Sequence, residues 1–65
     1  MNYCVTDKAS GKNVDFDFNP TDESKKAIFR SKEDAFYFMD CAIRSKSGEE
    51  GIESGRGKFE VKEAN

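Results

Sequence analysis

The segment Ser31-Lys32-Glu33-Asp34-Ala35-Phe36-Tyr37-Phe38-Met39-Asp40-Cys41-Ala42-Ile43 constrains the fold most, because it reads as a capped amphipathic helix set between stretches that alternate like strands. The Ser31 side chain can accept from the first free backbone donors, and Asp34, three residues on, supplies the reciprocal partner of a capping box. Ala35, Phe38, Met39, Ala42 and Ile43 recur at i, i+3, i+4, i+7 and i+8, a continuous apolar stripe flanked by Phe36. Glu33, Tyr37, Asp40 and Arg44 fall on the opposite side, where Asp40 and Arg44 have the i,i+4 spacing of a helical ion pair. Cys41 sits beside Tyr37 at the edge of that outer face.

Tyr3 and Val5 share one parity and Cys4 and Thr6 the other, the period of two of a half-buried strand, so residues 2–8 are read as the first strand. Ala9-Ser10-Gly11-Lys12 offers a turn in which Gly11 can take a positive φ, and Val14-Asp15-Phe16-Asp17-Phe18 then alternates again. The expectation is an antiparallel hairpin with Val14, Phe16 and Phe18 inward and Asn13, Asp15 and Asp17 facing solvent. Asn19-Pro20-Thr21-Asp22-Glu23-Ser24 is read as a loop, because Pro20 has no ladder donor. Lys26-Ala27-Ile28-Phe29-Arg30 is expected as a short third strand with either Ile28 or Phe29 inward. Residues 45–57 are rich in Gly and Ser, and the entropy of ordering such backbone points to a flexible loop at about 46–57. Lys58 to Glu63 resumes alternation with Phe59 and Val61 inward, as a last strand whose direction the composition leaves open. The fold class is therefore α+β: a small antiparallel or mixed sheet of three to four strands with one helix packed on one face, in the order β-β-β-α-β.

Sixty-five residues make one small domain, of a size that buries only about 60% of its unfolded surface. Apolar residues are 35% against 37% charged, yet six Phe and two Tyr carry enough apolar area for a core. A membrane-spanning helix needs about 20 apolar residues in a row, and no such run exists. With no basic-then-apolar start, a secretory signal is not expected either. The expectation is a cytoplasmic protein with Cys4 and Cys41 as free thiols. With no His and no closely spaced Cys pair, a structural zinc site is not expected, nor is any other cofactor.

Catalysis requires a group whose ionisation is shifted, or a nucleophile beside its base, and nothing in the chain assembles either, so no enzyme is expected. Asp15-Phe16-Asp17-Phe18-Asn19 resembles the opening of a calcium loop, but Pro20 stands where the sharp turn needs Gly and Lys26 where the bidentate Glu belongs. As strand residues, Asp15 and Asp17 would be about 6.6–6.8 Å apart on one face. With Asp22 and Glu23 they would form an acidic row able to enter a basic groove that normally holds nucleic-acid phosphates. Lys25, Lys26, Arg30 and Lys32 are the alternative phosphate contacts, although Glu33 and Asp34 follow at once and the Phe residues have inward parity. Gly55-Arg56-Gly57-Lys58 lacks the spacing of a phosphate loop. Tyr37 is suited to anchor an interface from the polar side of the helix, with Asp40, Cys41 and Arg44 as neighbours. Net charge is only −2, with a slightly positive middle and a negative end, a mixed surface suited to meeting another protein.

A one-domain chain in which a hairpin precedes the Ser31-Lys32-Glu33-Asp34-Ala35 helix start, and Gly57-Lys58-Phe59-Glu60-Val61 closes the sheet, resembles small phage-encoded inhibitor proteins, anti-CRISPR proteins foremost. The likeness covers residues 27–63 in pattern and carries over no site residue. It implies a protein that occupies a surface of a larger host machine, such as a CRISPR effector complex or an RNA polymerase, in the host cytoplasm and without catalysis. Two other readings stand beside it: a small nucleic-acid-binding module using the basic patch, and a structural homodimer through the outer helix face or the edge of the last strand.

Overall fold

The structure, a computed structural model, describes residues 1–48 and 51–64. Strand β1 (Tyr3–Asp7) lies between β2 (Asn13–Val14) and β4 (Phe59–Glu63), and β3 (Pro20–Thr21) adds to the outer side of β2, giving the order β3-β2-β1-β4. Every pairing is antiparallel. Helix α1 (Lys32–Ser47) packs across one face, and a five-residue helix, α2 (Ile52–Arg56), follows it. The α+β class with one main helix on a four-stranded sheet is the architecture expected, with the last strand now placed antiparallel to β1.

The helix begins where its cap demands. Ser31 is extended, at φ −132° and ψ 155°, and its Oγ accepts the Asp34 N–H at 3.1 Å. It ends at Gly48, whose φ of 72° turns the chain out and whose N–H bonds to the Arg44 carbonyl at 2.8 Å. The stripe behaves as the spacing requires: Ala35, Met39 and Ile43 are buried, and Phe38 and Ala42 pack half-buried against them. They meet Val5 and Val14 from the sheet and Phe18 from the β2–β3 turn, with Phe59 and Val61 half-buried at the margin. Gly11, at φ 74°, supplies the left-handed residue of the β1–β2 turn, which the Asp7 carboxylate ties down by accepting from Ala9 N–H and Ser10 Oγ.

Four expectations are corrected. Residues 15–18 do not extend β2. The chain turns there, with Phe18 N–H bonded to the Asp15 carbonyl and Asp15 N–H to the Asn19 carbonyl, both at 3.0 Å. The Asp15 side chain stabilises the turn by accepting from Asp17 N–H at 2.9 Å and Asn19 N–H at 3.0 Å, a local bond that competes with the ladder. Phe16 consequently points out, while Phe18 is buried by way of a left-handed backbone, φ 64°. Pro20 and Thr21, read as loop, form β3, where Pro20 is tolerated because it lies on an edge strand. Residues 26–30 contribute only the Tyr3–Phe29 bridge, with Phe29 packed inward and Ile28 exposed. This segment occupies the place along β1 that β2 vacates, since Ala27 N–H bonds to the Val14 carbonyl. The stretch read as a loop at 46–57 holds the end of α1 and all of α2; Glu49 and Glu50 lie outside the described residues.

Phe18 is held in a conformation that costs a non-glycine residue about 1–2 kcal/mol. Its ring compensates, lying 4.5 Å from Phe59 and 5.9 Å from Phe38, centroid to centroid. Phe18→Gly is expected to relieve the backbone yet destabilise the protein by about 2–3 kcal/mol, because a lost buried ring outweighs the relief; urea unfolding measures the difference. Gly55 has a steric duty instead, since a Cβ there would sit 2.5 Å from Ile43 Cγ2. Gly55→Ala is expected to lower the melting temperature through about 1–3 kcal/mol of overpacking, although alanine is the better helix former.

Candidate functional site

The far face of the sheet is organised by a polar chain of contacts. Asn13 Oδ1 accepts from Thr6 Oγ1 at 2.7 Å and from Cys4 Sγ at 3.5 Å, while its Nδ2 donates to Glu23 Oε1 at 2.8 Å. Lys26 Nζ reaches the other Glu23 oxygen at 2.5 Å and the Ala64 carbonyl at 3.3 Å. The hydrogen bond and charge of Lys26 hold the Glu23 carboxyl below its usual range, and the bond to Glu23 raises the Lys26 ammonium. Glu23 and Lys26, one from the expected acidic row and one from the expected basic patch, therefore satisfy each other. Asp15 is committed to its turn, Asp17 is exposed on the β2–β3 turn, and Asp22 is exposed before a 3₁₀ turn at Glu23–Lys25. The four carboxylates share no strand face, so the acidic row expected on β2 is not formed. Of the basic group, Lys25, Arg30 and Lys32 remain exposed around the start of α1.

On α1, Asp40 pairs with Arg56 of α2 rather than with Arg44. Arg56 Nε and Nη2 lie 2.9 and 2.5 Å from its two oxygens, a bidentate clamp between the helices. The hydrogen bond from Arg56 is the main reason the Asp40 carboxyl is held low, with the charges of Arg56 and Arg44 adding to it. Arg44 stays exposed, and so does Tyr37, at 74%.

Tyr37 does not stand alone. Phe16, carried out by the Asp15 turn, is 66% exposed, and its ring lies 5.8 Å from Phe29 and 6.3 Å from Phe38. Phe16, Phe38, Cys41, Ala42 and Ser45 line a shallow groove of about 320 Å³ between the turn and α1. Tyr37 lies one turn before Cys41 on the same flank of the helix. Phe16 and Phe38 thus share a groove with an exposed free thiol, and the exposed Tyr37 lies one turn along the helix from it. A second groove, about 400 Å³, lies on the other side of Phe18, with Ile43 and Phe59 on its floor and Lys46 and Lys58 at its rim. Lys46 separates the two, its ammonium 5.6 Å above the Phe18 ring.

The sequence placed Tyr37 on the outer side of the helix, where it is exposed, but alternation assigned the exposed Phe16 inward. The Asp-x-Asp-x-Asn-Pro composition of residues 15–20 was the available signal, since Asp and Asn before Pro favour turns. Among the described residues no three His, Cys, Asp or Glu side chains come together as a metal site, and no helix is long and apolar enough to cross a membrane. Comparison with protein-family models, curated proteins and solved structures finds no match to this chain.

The Asp40–Arg56 clamp has a pH signature. The Asp40 pKa is lowered by folding, so its stabilisation is present above the ordinary aspartate value of 3.8 and is lost as pH falls through the lower folded value. Asp40→Asn is expected to destabilise by about 0.5–1 kcal/mol at neutral pH, with wild type and variant converging in acid. Thermal melts across a pH series check it.

Proposed function

We propose that this chain is a non-enzymatic protein-binding domain that inhibits a larger nucleic-acid-processing complex, acting in the cytoplasm of the host cell through the aromatic surface of α1 and the β2–β3 turn. The observation that carries the reading is the exposure of Phe16 and Tyr37 beside the half-buried Phe38. In so small a domain a large ring is worth most in the core, and exposed rings supported from beneath by other rings are the usual anchors of an interface. Cys41 and Ser45 on the groove wall are small enough to admit a partner side chain between Phe16 and α1. The class of target rests on the resemblance to phage-encoded inhibitors, which work by occupying a surface of such machines.

Contact through the helix face is favoured over entry of an acidic row into a basic groove, because Asp15 and Glu23 are engaged within the domain. The direct nucleic-acid reading loses Lys26 to Glu23 in the same way and retains Lys25, Arg30 and Lys32.

The test is capture from host lysate at moderate salt with wild type and with Phe16→Ala plus Tyr37→Ala, two exposed positions whose loss leaves the core intact. The wild type is expected to retain one stoichiometric protein or nucleoprotein complex. The double variant is expected to lose at least about 30-fold in affinity for it, the scale of one hot spot of about 2 kcal/mol, while still melting cooperatively as a folded domain. Equal capture by both proteins overturns the aromatic surface as the contact. Recovery of nucleic acid alone, weakening steeply with salt, shifts the assignment to the basic patch.

A further inference from the structure

Strand β4 closes the sheet with no strand beyond it among the described residues. It joins β1 in the register Tyr3–Glu63 through Asp7–Phe59, flanked by Lys8 N–H to the Lys58 carbonyl at 3.0 Å and Ala64 N–H to the Asn2 carbonyl at 2.8 Å. On the other side of β1, Tyr3 exchanges both of its backbone bonds with Phe29. Alternation along an antiparallel ladder then fixes the rest: residues 58, 60, 62 and 64 bond toward β1, and the N–H and C=O groups of Phe59, Val61 and Glu63 point outward. Such an open row is a template for another strand; β4 has no proline to remove a donor, and its charged Glu60, Lys62 and Glu63 restrict pairing to a strand of matching charge order.

The edge is complementary to itself read in reverse. If a second β4 runs antiparallel with Val61 opposite Val61, then Phe59 faces Glu63 of the second copy and Glu60 faces its Lys62. Each outward N–H meets an outward C=O in this register. Glu60 and Lys62 already lie 3.0 Å apart within one strand, on the sheet face opposite α1, and pairing sets each against an opposite charge on the second copy as well. The neighbouring registers that also match outward groups bring Glu60 onto Glu60 or Lys62 onto Lys62. Like charges directly opposite penalise both, so the charge order selects one alignment. Val61, half-buried at the open margin of the core beside the fully buried Val5, gains an apolar neighbour across the axis.

We infer that β4 is a self-association edge, at which two copies of this chain pair antiparallel about a two-fold axis at Val61 and form one eight-stranded sheet. The axis stands perpendicular to the sheet, so both α1 helices lie on the same face. The groups that pair are backbone groups of β4, whereas Phe16 packs on Phe29 and Phe38. The inference stands independently of the proposed function, because it rests on the β4 backbone and on Glu60 and Lys62, none of which belongs to the proposed aromatic surface. A five-residue edge places the contact at the small end of interface sizes, below about 1,200 Å², so the dimer is concentration-dependent.

Sedimentation equilibrium of the full chain from about 1 μM to about 1 mM, a range spanning weak to moderate affinities, is the test. The average mass is expected to rise from 7.3 kDa toward twice that value. Glu60→Lys alone and Lys62→Glu alone are each expected to weaken association at least tenfold, as each places like charges opposite one another. An equimolar mixture of these two single variants is expected to restore it by heterodimer formation. Loss of the intrachain Glu60–Lys62 pair cannot produce that restoration, so the mixture separates pairing across the axis from a role within one chain. A mass of 7.3 kDa at every concentration overturns the inference. Association that neither single variant weakens, or that the mixture fails to restore, overturns it as well.

Discussion

The rest of the structure depends on the burial of the Phe18 ring. It touches Phe38 of α1 and Phe59 of β4, and Lys46 lies over its face. It thereby joins the helix, the last strand and the β2–β3 turn at once. To place it, the backbone accepts a left-handed φ of 64°. The Asp15 carboxylate makes that conformation hold by taking two loop N–H groups. The same turn that drives Phe18 inward swings Phe16 outward, so the proposed contact surface follows from how the core is closed.

The other side of the sheet works differently. Cys4 and Thr6 are buried there, beneath a polar network of Asn13, Glu23 and Lys26. Buried polar groups are tolerable only when bonded, and the described buried side-chain atoms all have partners. That network engages Glu23 and Lys26, which charge counting alone would leave available to a partner. It also secures the excursion of residues 15–26, so that Ala27 and Phe29 can return to the sheet. Outside it Lys25, Arg30, Lys32, Asp17 and Asp22 stay exposed, and so does Phe16, whose ring packs on Phe29 and Phe38.

The sequence by itself determined the elements whose signals are local. The Ser31 cap and the stripe from Ala35 to Ile43 specified α1, because the bond that starts a helix and the face it buries lie within a few residues. Alternation specified β1 and β4, and Gly11 marked the turn after β1. Tertiary structure alone decided the rest. Residues 15–18 alternate as a strand would, but the Asp15 side chain outbids the ladder, and only packing says which of Phe16 and Phe18 is buried. Asp40 has Arg44 at helical spacing, yet pairs with Arg56, sixteen residues on, because Gly55 lets α2 settle against Ile43. Glu23 has Lys26 three residues on, but finds Asn13, ten residues back, only once the chain has crossed the sheet. Local bonds can be read from spacing, but competition among partners distant in the chain is settled by which arrangement buries apolar surface while leaving no polar group unpaired.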